Sequence, residues 1–370
     1  MDNRIGLLII GLVMFLMVLS PAKAQVMYGQ PASGEVHFIY SHWNVKYGDT
    51  TVKISQLTFP VTGFLPIRDN LEAVVYLAGS SNDVKLPDAT NYSLSGLGDM
   101  RLQFNRSFKE DQLLLSVGVN LPTGKKKLSA ANETPVLHML SQNFLDFSMR
   151  RFGEGFGFSM LLGGAQKFGE WRCGAGLMYK FSGKYEPYER IGKYDPGDLI
   201  SLNAGADWFN DKMSLSGNVV YAFYTSDKLD GREMFRQSTQ LNMDVSFGYR
   251  IEDLQLNAGV GYLLRGRNTL YLEEEDKLKI YGNEFRLRGG AIWALAQDWH
   301  IGPTAELKLI AANEKELGSS TILNIGGTVA RDISDQVDVF GGIEYFTGQA
   351  NGGDIDLSGL QLTVGVTASL

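Results

Sequence analysis

The stretch Thr239–Leu263, TQLNMDVSFGYRIEDLQLNAGVGYL, alternates apolar and polar residues twice, on either side of a polar turn at Ile251–Asp253. Side chains on a strand point to opposite faces in turn, so Leu241, Met243, Val245, Phe247 and Tyr249 share one face. Leu254, Leu256, Ala258, Val260 and Tyr262 do the same on the return strand, and Asn, Asp, Gln, Ser and Gly fill the opposite faces. A period of two predicts strands rather than helices. The open question is which face meets solvent, and what that solvent is.

The alternation recurs at 113–121, 200–208, 213–221, 285–295, 301–309 and 360–370. Short turns near Pro66–Asn70, Lys109–Gln112, Gly169–Glu170, Asn210–Lys212, Ile251–Asp253, Gln297–Asp298 and Ser334–Gln336 separate the strands on one side. Longer or more polar connections near 47–50, 80–95, 122–153, 183–197, 225–236, 266–283, 312–319 and 348–357 separate them on the other. This rhythm predicts about sixteen antiparallel strands, with fourteen as the alternative, and both chain ends on the short-turn side. The stretch Ile54–Leu57 slips phase, which predicts a bulge.

Three observations identify the solvent. No segment is the continuous apolar run of a strand buried on both faces, and no helix is at hand to cover a sheet. The polar faces hold Gly, Ser, Asn and Gln in place of a Lys/Glu mixture, in a chain with 43 Gly. Trp171, Trp208, Trp293 and Trp299 each lie close to a short turn, as in the aromatic girdle of a membrane interface. The expected fold is an all-β transmembrane antiparallel barrel, apolar outside and polar within. Closure is obligatory, because an open edge in hydrocarbon leaves backbone groups unpaired at several kcal/mol each.

Export is expected as well. Residues 5–19, IGLLIIGLVMFLMVL, are too short for a comfortable transmembrane helix and precede an Ala22-Lys23-Ala24 cleavage-like site. This predicts a signal peptide at 1–24 and a barrel over 25–370. A single cysteine, Cys173, excludes an internal disulfide framework, and a net charge of −7 argues against a nucleic-acid partner.

Catalytic signals are few. His37 and His42 are an odd number of residues apart and so fall on opposite faces of a strand. His138 and His300 lack a serine or carboxylate at motif spacing, so no enzyme is expected. GLGDMR and GVGYLL lack the third glycine and the helix of a phosphate loop. Glu273-Glu274-Glu275-Asp276 reads as a solvated loop tip more readily than a Ca²⁺ site, and Lys125-Lys126-Lys127 as an ordinary surface loop more readily than a lipid-phosphate contact. No cofactor or metal is called for.

The inward positions carry charge: Arg101, Arg172, Lys180, Asp244, Arg286, Arg288, Glu306, Lys308, Asp338 and Glu344. Reflection about the turn near 297 places Arg288 opposite Glu306 and Arg286 opposite Lys308. With both signs present, structural pairing is expected ahead of solute selection. The run TPVLHMLSQNFLDF breaks the strand rhythm with helical spacing of Val136, Leu137, Leu140, Phe144 and Phe147. With Thr134 as N-cap and Pro135 at the first position, a helix of about three turns is expected. Folded into the barrel mouth, it would offer Leu137, Leu140, Phe144 and Phe147 as first contacts for a hydrophobic solute. The alternative is that this segment prolongs its flanking strands.

LSGLGDMRLQFNRSF followed by DQLLLSVGVNLPTGKK resembles the meta-pathway phenol-degradation family of outer-membrane β-barrels, which lie near the FadL-type transporters in architecture. Gly96-Leu97-Gly98-Asp99 and Leu121-Pro122-Thr123-Gly124 carry the resemblance, which is good over about residues 50–130 and generic beyond. It implies a porin-like, outer-membrane channel of a Gram-negative bacterium that passes small hydrophobic or aromatic solutes by diffusion. Its expected partners are membrane lipid, the solute and the barrel assembly machinery, although Leu370 stands where such barrels usually end in an aromatic residue. The other reading kept open is a structural or assembly barrel with a closed lumen that serves an envelope complex. If the longer loops face outward, protease added to intact cells is expected to cut within 122–153 or 266–283 and to spare 210–212 and 251–253. The reverse pattern would invert the barrel.

Overall fold

The computed structural model describes residues 31–370, apart from 110, 111, 272–274, 297 and 316. The expected signal peptide at 1–24 and the residues Glu273 and Glu274 lie outside the described residues. The chain forms a closed antiparallel barrel of sixteen strands. These are β1 (Ser33–Tyr47), β2 (Thr50–Arg68), β3 (Leu71–Lys85), an interrupted β4 (Asn91–Leu97 and Met100–Phe108) and β5 (Leu113–Leu121). Next come β6 (Gly157–Phe168), β7 (Trp171–Ser182), β8 (Leu199–Phe209), β9 (Met213–Tyr224), β10 (Gln240–Ile251) and β11 (Leu254–Arg265). The last five are β12 (Glu284–Ala296), β13 (Trp299–Ile310), β14 (Ser320–Ser334), β15 (Val337–Ala350) and β16 (Ile355–Ser369).

Closure is made by β16 against β1, from Ser33 opposite Ser369 to Tyr47 opposite Ile355. The Leu370 N–H extends it by donating to the Ala32 carbonyl at 2.7 Å. No edge is left in the ring, and among the described residues no helix is long and apolar enough to cross a membrane. Strands do the crossing. Phe38, Leu162, Leu202, Val245, Ile325, Ile343 and Val364 stand exposed on the outer face, the surface that hydrocarbon must cover. Trp171 and Trp208 face each other in register beside the short turn at Gly169–Glu170, and Trp293 and Trp299 flank another short turn.

The wall is uneven, and this departs from the sequence reading. β1 to β3 run for 15, 19 and 15 residues, whereas β6 to β9 run for 11 or 12. The expected loop at 80–95 is mostly strand, because the β3–β4 ladder continues from Gly79 opposite Leu97 to Lys85 opposite Asn91. On the lower side, the connections at 225–236 and 266–283 are not plain loops. Their segments Ser226–Leu229, Arg232–Arg236, Asn268–Tyr271 and Glu275–Leu278 join Tyr194–Asp195 in a second, five-stranded sheet.

The expected bulge at Ile54–Leu57 is absent. The β1–β2 register runs unbroken from Ser33 opposite Phe64 to Tyr47 opposite Thr50. Ile54 breaks the pattern because it is an apolar side chain that points inward and is fully buried there. Trp43, Val84, Leu94, Ile310, Ile322, Phe346 and Leu357 share that peculiarity, all on the arc that runs from β13 through β16 to β1–β4 and holds the tall strands. Something apolar must therefore fill the lumen against them.

Arginine on the outer face costs about 2–4 kcal/mol at the bilayer midplane. Val245→Arg and Val364→Arg are expected to reduce the heat-modifiable folded band on gels, and the lumen-facing Ser246→Arg and Thr363→Arg to reduce it less. Equal losses would refute the assignment of faces.

Candidate functional site: the plugged lumen

The filling is residues 122–156, between β5 and β6. Val136, Leu140, Phe144, Leu145, Phe147, Met149 and Phe152 are buried in one cluster with the inward apolar residues of the tall wall. The helix is α1 (Thr134–Leu140), two turns long and not three, with Glu133 and not Thr134 as its N-cap. Pro135 sits within the first turn. Because 122–156 packs inside the barrel, surface proteolysis at 122–153 is no longer expected, which leaves 266–283 as the exposed target.

Three polar ties fix the plug. The first sits at the break in β4. Asp99 accepts hydrogen bonds from the N–H groups of Gly124 (2.8 Å) and Glu154 (2.6 Å) and from the Asn120 amide (3.0 Å). Thr123 Oγ1 accepts from the Met100 N–H at 2.9 Å. A Cβ on Gly124 would lie 2.8 Å from the Gly98 backbone, so glycine is what permits this approach. The two motifs that carry the family resemblance thus interlock and turn the chain into the lumen.

The second tie is a two-way amide pair. Gln56 Nε2 donates to the Met149 carbonyl at 2.7 Å and its Oε1 accepts from the Met149 N–H at 3.0 Å. Asn82 supports that side chain by accepting from Nε2 at 2.7 Å while donating to the Leu94 carbonyl. All of these groups are buried, so leaving one unpaired costs its desolvation penalty.

The third tie is ionic. Lys308 Nζ donates to Asp146 Oδ2 at 2.7 Å and to the Asn143 carbonyl at 2.6 Å, with its side chain only 3% exposed. Arg150 approaches Asp146 Oδ1 at 2.6 Å and Arg286 at 3.8 Å. Burial pushes the Asp146 carboxyl up, but Lys308, Arg286 and Arg150 together outweigh it and hold the group below the ordinary aspartate range.

The register places all ten charged residues named from sequence on the inward face. Arg286 does stand opposite Lys308, and Arg288 opposite Glu306. The contacts cross those register pairs, however. Arg288 pairs with Asp244 at 3.4 Å, and Arg286 reaches Glu306 at 3.9 Å and Glu284 at 3.4 Å. Glu344 accepts from the Asn324 amide at 2.9 Å, and Asp338 lies opposite Asp332. Arg172 stacks on Phe209 at 4.6 Å, and Arg101 lies 5.9 Å from the Tyr76 ring centre. The four plug residues divide differently, and only Leu137 and Leu140 lie in α1: Leu140, Phe144 and Phe147 are at most 5% exposed and offer a solute no surface in this conformation, whereas Leu137 remains half-buried at a cavity wall. Gln56, Asp99, Asp146 and Glu154 were not singled out from sequence, and only Asp99, inside the quoted motif, carried a signal.

Three cavities adjoin along the plug. One of about 270 Å³ lies beneath the 183–198 connection and is walled by Leu128, Leu137, Phe152, Tyr185, Pro187 and Tyr188. It shares Arg150, Arg151, Phe152 and Glu154 with a second of about 330 Å³ that reaches Tyr76, Asp99 and Arg101. That one shares Arg101, Asn120 and Glu154 with a third of about 200 Å³ that also includes Ser159, Lys180 and Ser182. Burial above all pushes the Tyr185 phenol up to about 12, and burial with the Asp227 hydrogen bond raises Tyr194 too, so both stay neutral donors. Among the described residues no group of three or more His, Cys, Asp or Glu is placed to hold a metal ion.

Comparison with known proteins agrees on the family resemblance but relocates it. Residues 176–324 match the model of the family described as "Putative MetA-pathway of phenol degradation", a stretch later than the 50–130 from which the resemblance was read. No curated protein matches the chain. A solved bacterial polysaccharide outer membrane secretin is 12% identical, covering 91% of this chain and 98% of its own, at a TM-score of 0.49. OprD of Pseudomonas aeruginosa is 11% identical over 94% and 97%, at 0.45. The CymD monoaromatic hydrocarbon channel is 11% identical over 92% and 89%, at 0.44.

A carboxylate whose folded value is depressed adds stability that is complete above its unfolded value and lost only as pH falls through the lower folded one. Plug docking, read as channel conductance, is therefore expected to stay constant from about pH 8 to about pH 5 and to loosen only below the ordinary carboxylate range. Asp146→Asn strands the Lys308 ammonium at about 3–5 kcal/mol and should raise conductance at neutral pH. Lys308→Met, which leaves Asp146 its arginines, should do less. Loosening between pH 7 and 5 in the wild type would refute the latch.

Proposed function

We propose that this barrel is a passive channel in the outer membrane of a Gram-negative bacterium, and that it admits small hydrophobic or aromatic solutes past an inward-folded plug. The observation that carries the reading is the cavity of about 270 Å³ at the plug's outer side. Its walls combine Leu128, Leu137, Phe152 and Pro187 with the rings of Tyr185 and Tyr188. Lys125, His138, Arg150, Arg151 and Glu154 share the lining, so apolar surface and orienting polar groups meet in one cavity, as small-molecule recognition requires. The adjoining cavities continue it past Arg151 and Glu154 toward the lumen. The family match over 176–324 supports a link to aromatic compounds, since the family is described by phenol degradation.

In this reading the plug residues share the work unevenly. Leu137 meets the solute, while Leu140, Phe144 and Phe147 hold the helix on the wall. Assembly would proceed through the barrel assembly machinery. A structural barrel with a closed lumen is the competing reading, and Lys308 buried beneath Asp146 favours a stable seal over part of the lumen.

The test is flux through proteoliposomes and conductance in planar bilayers. The wild type should pass benzyl alcohol faster than a sugar of similar size, and Leu137→Asp or Tyr188→Asp should lower that preference several-fold. Deletion of 134–147 should raise small-ion conductance and weaken the aromatic preference. A silent wild-type barrel, or wild-type behaviour after the deletion in a folded barrel, would return the structural reading.

A further inference from the structure

Two sets of inward charges stand in contrast across the lumen. On β10 to β13 four inward basic residues touch acids: Arg288 with Asp244, Arg286 with Glu284 and Glu306, Arg265 with Glu284 at 2.8 Å, and Lys308 with Asp146. Across the lumen, Arg101 on β4 and Lys180 on β7 line one cavity, and among the described residues neither has an ion-pair partner. Arg101 rests on the Tyr76 ring, and the Lys180 ammonium makes no hydrogen bond among the described residues. The nearby acid, Glu154, is already engaged, because its carboxylate takes Arg151 at 2.8 Å. Burial pushes Glu154 up, yet Arg151, Lys180 and Arg101 hold it ionised below its ordinary range, so it adds one negative charge among three positive ones.

The cavity has the other parts of a small-anion site. Ser159 and Ser182 lie on its wall, and neither hydroxyl has a partner among the described residues. Phe156 and Met178 supply apolar surface. Two unneutralised cations in a narrow cavity with low-dielectric walls focus a positive potential, which raises the local concentration of anions. A carboxylate can accept from both cations and from a hydroxyl at once. An apolar body behind the carboxylate would rest on Phe156 and Met178.

We propose that the cavity between Arg101 and Lys180 is a carboxylate subsite, so that the preferred solutes are small aromatic or aliphatic acid anions in place of neutral hydrocarbons or phenols. This rests on the channel reading above and narrows its solute class. The cavity at Leu137 and Tyr188 receives the body of the molecule, and Arg101 with Lys180 then draws the acid group inward.

The experiment pairs two probes of similar size, benzoate and benzyl alcohol, in two measurements. In the first, binding to the detergent-solubilised folded barrel is followed by saturation-transfer NMR. Benzoate should bind in preference to benzyl alcohol, and Arg101→Gln and Lys180→Gln should each weaken it about tenfold, the loss of one charge-assisted hydrogen bond. Glu154→Gln removes the one negative charge and should strengthen it, an opposite shift that no general loss of folding can mimic. In the second, the ratio of benzoate to benzyl alcohol flux into proteoliposomes should exceed one and fall several-fold in Arg101→Gln and Lys180→Gln. If benzyl alcohol passes but benzoate neither binds nor passes better, the carboxylate subsite is overturned and the channel stands. If benzoate binds and the substitutions abolish binding while neither probe crosses, the subsite stands and the channel reading falls. Benzoate binding unchanged by all three substitutions overturns the proposal.

Discussion

Backbone hydrogen bonding in hydrocarbon governs the whole molecule. Lipid offers no partner for a peptide N–H or C=O, so the sheet must close on itself, and the pairing of β16 with β1 satisfies its last edge. Once closed, the ring constrains its two faces differently. Outward positions must be apolar because they meet lipid. Inward positions need only suit whatever occupies the lumen, and they vary accordingly from Ser and Asn to Trp, Lys and Arg.

That freedom explains the plug. A segment of 122–156 brought into the barrel has backbone groups and apolar side chains of its own to satisfy. The tall half of the wall meets both needs at once. Trp43, Ile54, Val84, Leu94, Ile310, Ile322, Phe346 and Leu357 provide a dry surface, while Gln56, Asp99 and Lys308 take up backbone groups and a carboxylate. The break in β4 is part of the same solution. Leaving the ladder at Gly98–Asp99 frees the Asp99 carboxylate to bind the two ends of the plug, Gly124 and Glu154, to one point of the wall.

The barrel was legible because its signal repeats. Alternation in strand after strand, seven short turns opposite eight longer connections, and tryptophans at the turns each follow from the same solvent geometry. The register of β12 against β13 could be read by reflection alone, since a short turn fixes it. What resisted reading was whatever depends on contacts between segments far apart in the chain. Ile54 looked like a phase slip because an inward apolar residue makes sense only with the plug in place. The loop strands at 226–236 and 268–278 are too short to show periodicity. Arg288 lay opposite Glu306 on paper, yet it meets Asp244 two strands away, because a long guanidinium reaches past its register neighbour. In the plug, the helical spacing found α1, but the same apolar residues that suggested a solute surface are consumed in docking it.

The lumen charges show the same limit most clearly. Counted along the sequence, acids and bases are mixed, and mixed signs suggest mutual neutralisation. Position changes the meaning of the count. Asp244, Glu284 and Glu306 meet the bases of β10 to β13, and Asp146 of the plug locks the buried Lys308, so the completeness of that pair is a condition of docking. Arg101 and Lys180 lie across the plug from that network, and the nearest carboxylate is already held by Arg151. A cation that faces a cavity without an acid partner stays available to whatever enters that cavity. Its effect is on what passes. One side of the lumen therefore spends its charges on holding the plug, and the other leaves them free to act on a solute.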